Sequence, residues 1–414
     1  MEVFNSYFFI IAVSLIVIAS YFFNIYAKKS NIPSVIMLII LGMLLQIPAW
    51  YFDFDKERLF PVLEIIGIVG LIMIVLEAAL DMKLTRDNLP LIIKSSIVAL
   101  LGVLGTAFAC AYVFRYFFDL SNMASIIYAV PLSIMSSAIV IPSVDNMDHE
   151  KKEFMIYEST IADILGIMFF YLLIANAEET STKAVAYDVM GNVFWTILIS
   201  IIVSYALVLI FQKLKTEVKL FLLIAVLLLL YAIGKLFHLS SLLIILVFGL
   251  VLHNNKLFFR GFLNKWLDKN AIGVILEDFK LITAESAFIV RTFFFVIFGV
   301  TLSFISIFNI KVFLLSCIVI GIIFLIRYVL LAVFIRKDIK PQLYIAPRGL
   351  VTILLFFAIP EQYMVEDFES GVILFTIIAT SIFMTISLIK SKDSKNLEEE
   401  DINDLLVDEE PTDN

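Results

Sequence analysis

The stretch Tyr157-Glu158-Ser159-Thr160-Ile161-Ala162-Asp163 puts two carboxylates into a segment that is otherwise apolar and long enough to cross a membrane. A charged side chain at the bilayer centre costs about 2.5–3.5 kcal/mol on insertion scales, so an acid there predicts an ion or proton path. On a helix, Ser159 and Asp163 share a face, whereas Glu158 and Asp163 point about 140° apart. We therefore expect the chemistry at Asp163 and a structural ion pair at Glu158.

The composition around this stretch is that of a multi-pass membrane protein. Hydrophobic residues make up 62% of the 414-residue chain and charged residues 16%, with a mean hydropathy of +1.02. Soluble domains contain roughly 45–50% apolar residues. The first apolar span has no basic lead-in and no small-residue cleavage site, so we interpret it as a retained helix. We expect lipid around the chain and no nucleic-acid partner.

Apolar segments separated by polar breaks predict an all-α fold with about thirteen membrane spans, because a crossing needs about 20 apolar residues. The tenth is too long for one simple crossing, and we expect its polar lead-in, residues 256 to 280, to include an amphipathic piece at the surface. The spans are predicted at residues 6–27, 32–49, 60–80, 90–117, 122–145, 152–175, 190–212, 217–236, 239–253, 275–308, 311–335, 341–360 and 368–390.

The loops between these spans predict the orientation, since cytoplasmic loops collect Lys and Arg. Loops after odd-numbered spans are basic, for example at Lys151 and Lys152, whereas the loop containing Glu361 and Glu366 is acidic. This alternation predicts an N-terminus outside and a C-terminus in the cytoplasm. It gives a membrane domain over residues 1–390, followed by an acidic tail, residues 391–414, for which we expect disorder.

Two spans carry signs of helices broken at membrane depth. In span five, Pro131 and Pro142 bracket Ser136-Ser137, and in span twelve the run Ala346-Pro347-Arg348-Gly349 interrupts the apolar sequence. Proline and glycine interrupt the hydrogen bonds of a helix and leave backbone groups without helical partners. These groups must then face protein or a water-filled cavity. Transporters use such breaks as ion sites, although proline is also ordinary in membrane helices.

Three further charged residues lie in predicted spans. Arg327 is in the middle of span eleven and cannot lose its proton, so it needs a carboxylate or several carbonyls, and Glu158 is the obvious partner. In span ten, Arg291 either pairs with Glu285 or reaches an interface. These two residues are candidates for supporting roles near the site.

Five segments, in order, resemble motifs of the monovalent cation/proton antiporters, and within them the sodium/proton exchanger branch. Glu158-Ser159-x-x-Ala162-Asp163 resembles that branch's E-S-x-x-N-D motif. The other four are Leu76-Glu77-Ala78-Ala79-Leu80-Asp81-Met82, similar to an F-x-A-G-L-E helix end; Glu285 through Gly299, similar to S-E...F-x-x-x-G; Arg327 at the basic position before the second crossover; and Ala346-Pro347-Arg348-Gly349-Leu350-Val351, similar to L-R-G-A-V.

The resemblance implies two inverted repeats in which the broken spans five and twelve cross beside Asp163. It implies a dimerising scaffold of roughly spans 1–3 and 8–10, and a mobile core of roughly spans 4–7 and 11–13. It also implies alternating-access exchange of a monovalent cation, usually sodium, for protons by a homodimer, which we expect in a bacterial inner membrane. The implied roles are the ion and proton carboxylate for Asp163; ligands or near-ligands for Ser159, Ser137 and Ser136; a structural pair for Glu158 with Arg327; and crossover stabilisation for Arg348.

The chain departs from the family pattern at two places. Ala162 stands where that branch has Asn and an electrogenic branch has Asp, and Ser137-Ala138-Ile139 stands where T-D-P is usual. With one carboxylate at the ion position, we predict electroneutral exchange of one cation for one proton. The cation would be Na⁺ or K⁺ bound at Asp163, with carbonyls, hydroxyls and water as further ligands. No other metal and no cofactor is expected.

Alternatives from other classes are a K⁺/H⁺ antiporter, a passive cation channel and a membrane-embedded enzyme. The channel fits the buried acid but not the crossed, broken helices. For an enzyme, the sequence has no H-E-x-x-H and no G-x-S-x-G motif, and its three histidines lie scattered at or near predicted loops. We therefore expect a transporter and not an enzyme.

Overall fold

A computed structural model shows a bundle of helices. It describes residues 2–30, 32–47, 60–82, 84–85, 87–144, 147–175, 182–212, 219–236, 241–259, 269–301, 309–336, 338–365 and 371–408. The helices are α1 (Glu2–Ser30), α2 (Ser34–Leu44), α3 (Phe60–Asp81), α4 (Leu89–Phe118), α5 (Asn122–Ser133), α6 (Ser137–Ser143), α7 (His149–Ala175), α8 (Thr182–Phe211), α9 (Lys219–Leu236), α10 (Ser241–His253), α11 (Asn255–Phe258), α12 (Lys269–Thr301), α13 (Ile310–Phe334), α14 (Leu350–Phe357) and α15 (Gly371–Asp408).

The helices match the predicted apolar spans. Eight helical stretches are long and apolar enough to cross a membrane, and four shorter apolar helices accompany them among the described residues. Each predicted span contains helical residues, and span twelve is the short α14 preceded by a 3₁₀ turn at Gln342–Tyr344. The all-helical, multi-pass fold is therefore confirmed, while the number of crossings and the orientation stay predictions.

Local sequence explains where several helices begin and end. The hydroxyl of Ser121 accepts a hydrogen bond from the Ala124 N–H at the start of α5, and Asn309 Oδ1 accepts one from the Lys311 N–H at the start of α13. These contacts satisfy backbone donors that a helix start leaves unpaired. α4 ends at Asp119, whose φ of 50° is left-handed and stops the helix.

The helices that carry or adjoin the interrupted spans pack in two groups. On one side α12 packs against α2 and α3, and on the other α4 packs against α5, α7 and α13. A Cβ on Gly42 of α2 would lie 2.2 Å from the Val296 carbonyl oxygen and 2.9 Å from the Cα of Gly299. The backbones of α2 and α12 therefore touch, and this approach requires glycine at both positions.

The structure bears on three further expectations. Residues 269–280 of the predicted lead-in form the start of α12, and the rest of it, apart from 256–259, lies outside the described residues, so the amphipathic surface piece stays a prediction. The tail is helical up to Asp408, because Glu, Leu and Lys support the continuation of α15. α8, which we assigned to the core, packs against α10 of the predicted scaffold; the division into core and scaffold itself stays a prediction.

Candidate functional site

The first interruption lies between α5 and α6, inside predicted span five. Ile134, Met135 and Ser136 separate the two helices, and Ile134 and Ser136 have extended backbones, with ψ of 127° and 114°. Pro131 and Pro142 both lie within helices, so the break falls between the prolines, at the serines. The predicted break is confirmed, and it leaves backbone and hydroxyl groups of span five pointing into the bundle.

The second interruption runs from Ile345 to Gly349, just before α14. The two breaks meet there, since the Ser136 N–H donates a hydrogen bond to the Pro347 carbonyl at 2.9 Å. A Cβ on Gly349 would lie 2.7 Å from Ser136 Oγ, so a side chain at this position would collide with the other break. Glycine therefore allows the close approach without a shift of the Ser136 side chain.

Arg348 joins the same two segments through its side chain. Its guanidinium donates hydrogen bonds to the carbonyls of Leu132 at 2.8 Å, Ser133 at 3.3 Å and Ala346 at 2.7 Å. The backbone N–H of Arg348 donates to Thr380 Oγ1 at 3.2 Å. Leu132 and Ser133 end α5, where helix carbonyls lack partners and carry partial negative charge. This geometry supports the crossover role expected for Arg348.

Asp163 of α7 is buried against the first break. Its Oδ2 accepts hydrogen bonds from the backbone N–H of Ser137 at 3.0 Å and from the Ser137 hydroxyl. Its Oδ1 is buried and has no hydrogen-bond partner within the described chain. One carboxylate oxygen is thus held in place, while the other is available to a proton or to a cation.

Hydroxyl groups provide the other polar atoms of these segments. Ser136 Oγ, Thr160 Oγ1 and Thr352 Oγ1 are buried and, among the described residues, have no hydrogen-bond partner. The Ser159 hydroxyl instead donates to the Ile156 carbonyl of its own helix at 3.2 Å. Ser136 and Ser137 therefore lie at the break as expected, and Ser159 lies on the helix face of Asp163 with its proton engaged elsewhere.

Glu158 and Arg327 form the buried ion pair that was expected. Arg327 Nη1 and Nη2 donate to the two carboxylate oxygens at 2.6 and 3.1 Å, and Nε donates to the Gln342 carbonyl at 2.9 Å. Both side chains are less than a tenth exposed. Both oxygens of the Glu158 carboxylate are therefore bonded to Arg327, unlike Asp163, whose Oδ1 has no hydrogen-bond partner among the described residues.

Arg291 and Glu285 do not form the pair that was considered. Arg291 lies 3.5 Å from Glu77 Oε2 and donates to the Ala138 carbonyl at 3.4 Å, whereas Glu285 is exposed. The reason is geometric, since residues six apart on a helix point about 120° apart around its axis and do not share a face. Arg291 thus reaches α6 beside the break, and Glu285 lies away from it.

Sequence reasoning missed several residues that the structure brings to the site. Glu77 belonged to a quoted motif but received no role, and Thr380 and the carbonyl of Gln342 were not considered. Thr352 and Thr160 were given no role, because threonine is an ordinary residue in membrane helices. A backbone carbonyl cannot be recognised as a partner from the sequence, because every residue has one. Among the missed residues, only Thr380, which lies one turn from Thr376 in α15, could have indicated an internal polar contact.

A cavity of about 30 Å³ lies on the Ala162 side of α7. Its polar lining consists of Glu158, Arg327, Arg348, Thr106 and Ser133. The rest is apolar and comes largely from α4 and α13. Ala162, where an Asn or Asp was expected from the resemblance, leaves this space open.

Comparisons with known proteins agree with this architecture. The chain resembles the solved sodium proton antiporter MjNhaP1 from Methanocaldococcus jannaschii at pH 8, with a TM-score of 0.69 and 18% identity over 94% of this chain and 96% of that one. An electron-microscopy map of the same antiporter matches with a TM-score of 0.68 and 19% identity over 95% and 97% of the two chains. A comparison with curated protein sequences finds no match.

The family model described as sodium/hydrogen exchanger, transmembrane, matches residues 11–390. That range includes both interrupted spans, Asp163 and the Glu158–Arg327 pair. Such exchangers are transporters, and the match covers nearly all of the described helices. The chain belongs to the sodium/hydrogen exchanger family of membrane transporters.

Proposed function

We propose that this protein exchanges a monovalent cation, Na⁺ in the first instance, for H⁺ at Asp163 by alternating access. Family membership supports cation/proton exchange in general. The observation that carries the finer proposal is the Asp163 carboxylate, which is buried at the crossing with Oδ2 held by Ser137 and Oδ1 without a partner in the described chain.

The coupling follows from the cost of burying charge. A carboxylate in a site of low dielectric constant must be neutralised by a proton or a cation, because an unpaired buried charge is expensive. Proton and cation would therefore compete for the same Oδ1 position. The hydroxyl of Ser136, the residue before Ser137, has no hydrogen-bond partner among the described residues and is an oxygen ligand of the type that alkali cations prefer.

The expected stoichiometry is one cation for one proton. Glu158 is fully engaged by Arg327, and Ala162 supplies no second carboxylate. Among the described residues at the crossing, Asp163 is then the one carboxylate left to change its charge during the cycle, so each turnover would carry one positive charge in each direction. Homodimer formation stays an expectation from the resemblance.

The test is proton flux in proteoliposomes that contain the purified full chain and an internal pH dye. We expect pulses of external Na⁺ to change the internal pH with wild type and not with Asp163→Asn. Glu285→Gln, which neutralises an exposed acid on α12, is the matched control and should keep the flux. Sodium-driven flux that survives in Asp163→Asn would refute the assignment.

Potassium is the second candidate cation. With Ala162 and with few side-chain ligands, the site would depend on hydroxyls, carbonyls and water, which accommodate a larger ion as well. The same vesicles distinguish the two when K⁺ replaces Na⁺. A response to K⁺ alone would replace sodium in the proposal, and cation flux without proton movement would favour a passive channel.

A further inference from the structure

The cavity beside Ala162 lies apart from the Asp163 site. Its lining includes Glu158, Arg327, Arg348 and the hydroxyl-bearing Thr106 and Ser133, but not Asp163 or Ser137. About 10–15 Å³ suffices for one water, so about 30 Å³ holds a small ion with a water molecule. The cavity is therefore large enough for an occupant that the exchange reaction does not require.

The formal charges of the side chains that line the cavity do not cancel. Glu158 and Arg327 neutralise each other through two hydrogen bonds, whereas the Arg348 guanidinium donates hydrogen bonds only to carbonyl oxygens among the described residues. The formal charge of the lining is thus +1. A guanidinium does not lose its proton in a protein, so titration cannot remove this charge.

Arg348 also has unused hydrogen-bonding capacity. Of the five N–H groups of its guanidinium, three donate to carbonyls, and the described chain supplies no acceptor for the other two. Buried donors normally have a partner, from the protein or from a bound species. The charge and the free donors both favour an anionic acceptor over a cation.

We propose that the cavity between α4, α7 and α13 binds a small inorganic anion of the size of chloride, held by Arg348. The Glu158–Arg327 pair and the Thr106 hydroxyl complete the polar part of the site, whereas the Ser133 hydroxyl donates its proton to the Val130 carbonyl at 2.7 Å. The apolar walls from α4 and α13 limit the size of the anion. The site does not depend on whether the proposed exchange at Asp163 is correct.

The test compares wild type with two glycine variants of α4. Gly102 lines the cavity, and a Cβ there would lie 3.6 Å from Leu330, an ordinary contact. Gly105, one turn further on, does not line it, and its Cβ would lie 3.5 Å from Ile326. Gly102→Leu therefore fills the cavity, while Gly105→Leu adds the same side chain to the same helix outside it.

The measurement is the thermal unfolding midpoint of the purified full chain as chloride or bromide replaces gluconate at constant ionic strength and cation concentration. A bound anion stabilises the folded state by mass action. We expect a saturable rise of the midpoint in wild type and Gly105→Leu, and its loss in Gly102→Leu. An equal rise in all three proteins, or none in wild type, would overturn the proposal.

Bromide diffraction provides a second test that does not need a variant to fold. Crystals of the wild-type chain in bromide should give an anomalous peak beside Arg348. If no anomalous peak lies in the cavity, the proposed anion site is refuted. Proton flux measured in parallel separates the two proposals, because loss of cation-driven flux bears on Asp163 and an anion-dependent midpoint bears on Arg348.

Discussion

Removal of one partner of the Glu158–Arg327 pair should destabilise the protein strongly. Arg327→Gln leaves the Glu158 carboxylate buried without its two charge-assisted hydrogen bonds, and such a loss costs about 3–5 kcal/mol. In the double variant Glu158→Gln/Arg327→Gln neither charge remains. We therefore expect the double variant to lose about 2–3 kcal/mol less than the sum of the single variants.

The assay is the free energy of unfolding in detergent micelles for the wild type, both single variants and the double variant. The exposed pair Lys151–Asp338 is the matched control, since its side chains are 21% and 73% exposed. Its coupling energy should be about 0.2–1 kcal/mol, because water and salt screen it. A coupling energy at Glu158–Arg327 no larger than that of the control would refute the reasoning.

Three further predictions concern the site and its support. Ser137→Ala removes a donor that favours the charged Asp163 carboxylate, so the pH at which protons half-displace a bound cation should rise by about one to two units in a cation-binding titration. Gly299→Val should lower the unfolding midpoint by several degrees, because a Cβ there would lie 2.4 Å from the Ile39 carbonyl oxygen; an unchanged midpoint would contradict the contact. Glu77→Gln should destabilise the protein through Arg291, and Glu285→Gln should not, as the same unfolding measurement would reveal.

The parts of the fold that the sequence predicts are those with strong periodic or compositional signals. The apolar spans follow from the length that a bilayer requires, and Pro131, Pro142 and Pro347 indicated both interruptions. The sequence also predicted the partner of Arg327, since a guanidinium in an apolar span needs a carboxylate and the predicted spans contain few carboxylates. These predictions required only charge, length and backbone chemistry.

The remaining features depend on three-dimensional contacts that no single segment encodes. Arg291 selects Glu77 over Glu285 because α3 packs against α12, which the pattern of α12 alone does not contain. The break in span five occurs at residues 134–136 and not at a proline, because the backbone of Ser136 pairs with Pro347. The cavity beside Ala162 arises from a side chain that is small, and small side chains give no positive signal.

The hydrogen bond between the Ser136 N–H and the Pro347 carbonyl affects which substitutions positions 136 and 349 tolerate. Since both atoms belong to the main chain, every residue except proline can supply the donor at position 136. At Gly349, by contrast, a Cβ would lie 2.7 Å from Ser136 Oγ and 2.8 Å from Ile139 Cδ1, so any larger residue requires both side chains to shift. In a saturation mutagenesis screen for folding, position 349 should accept almost no replacement, whereas position 136 should accept small residues freely and reject proline.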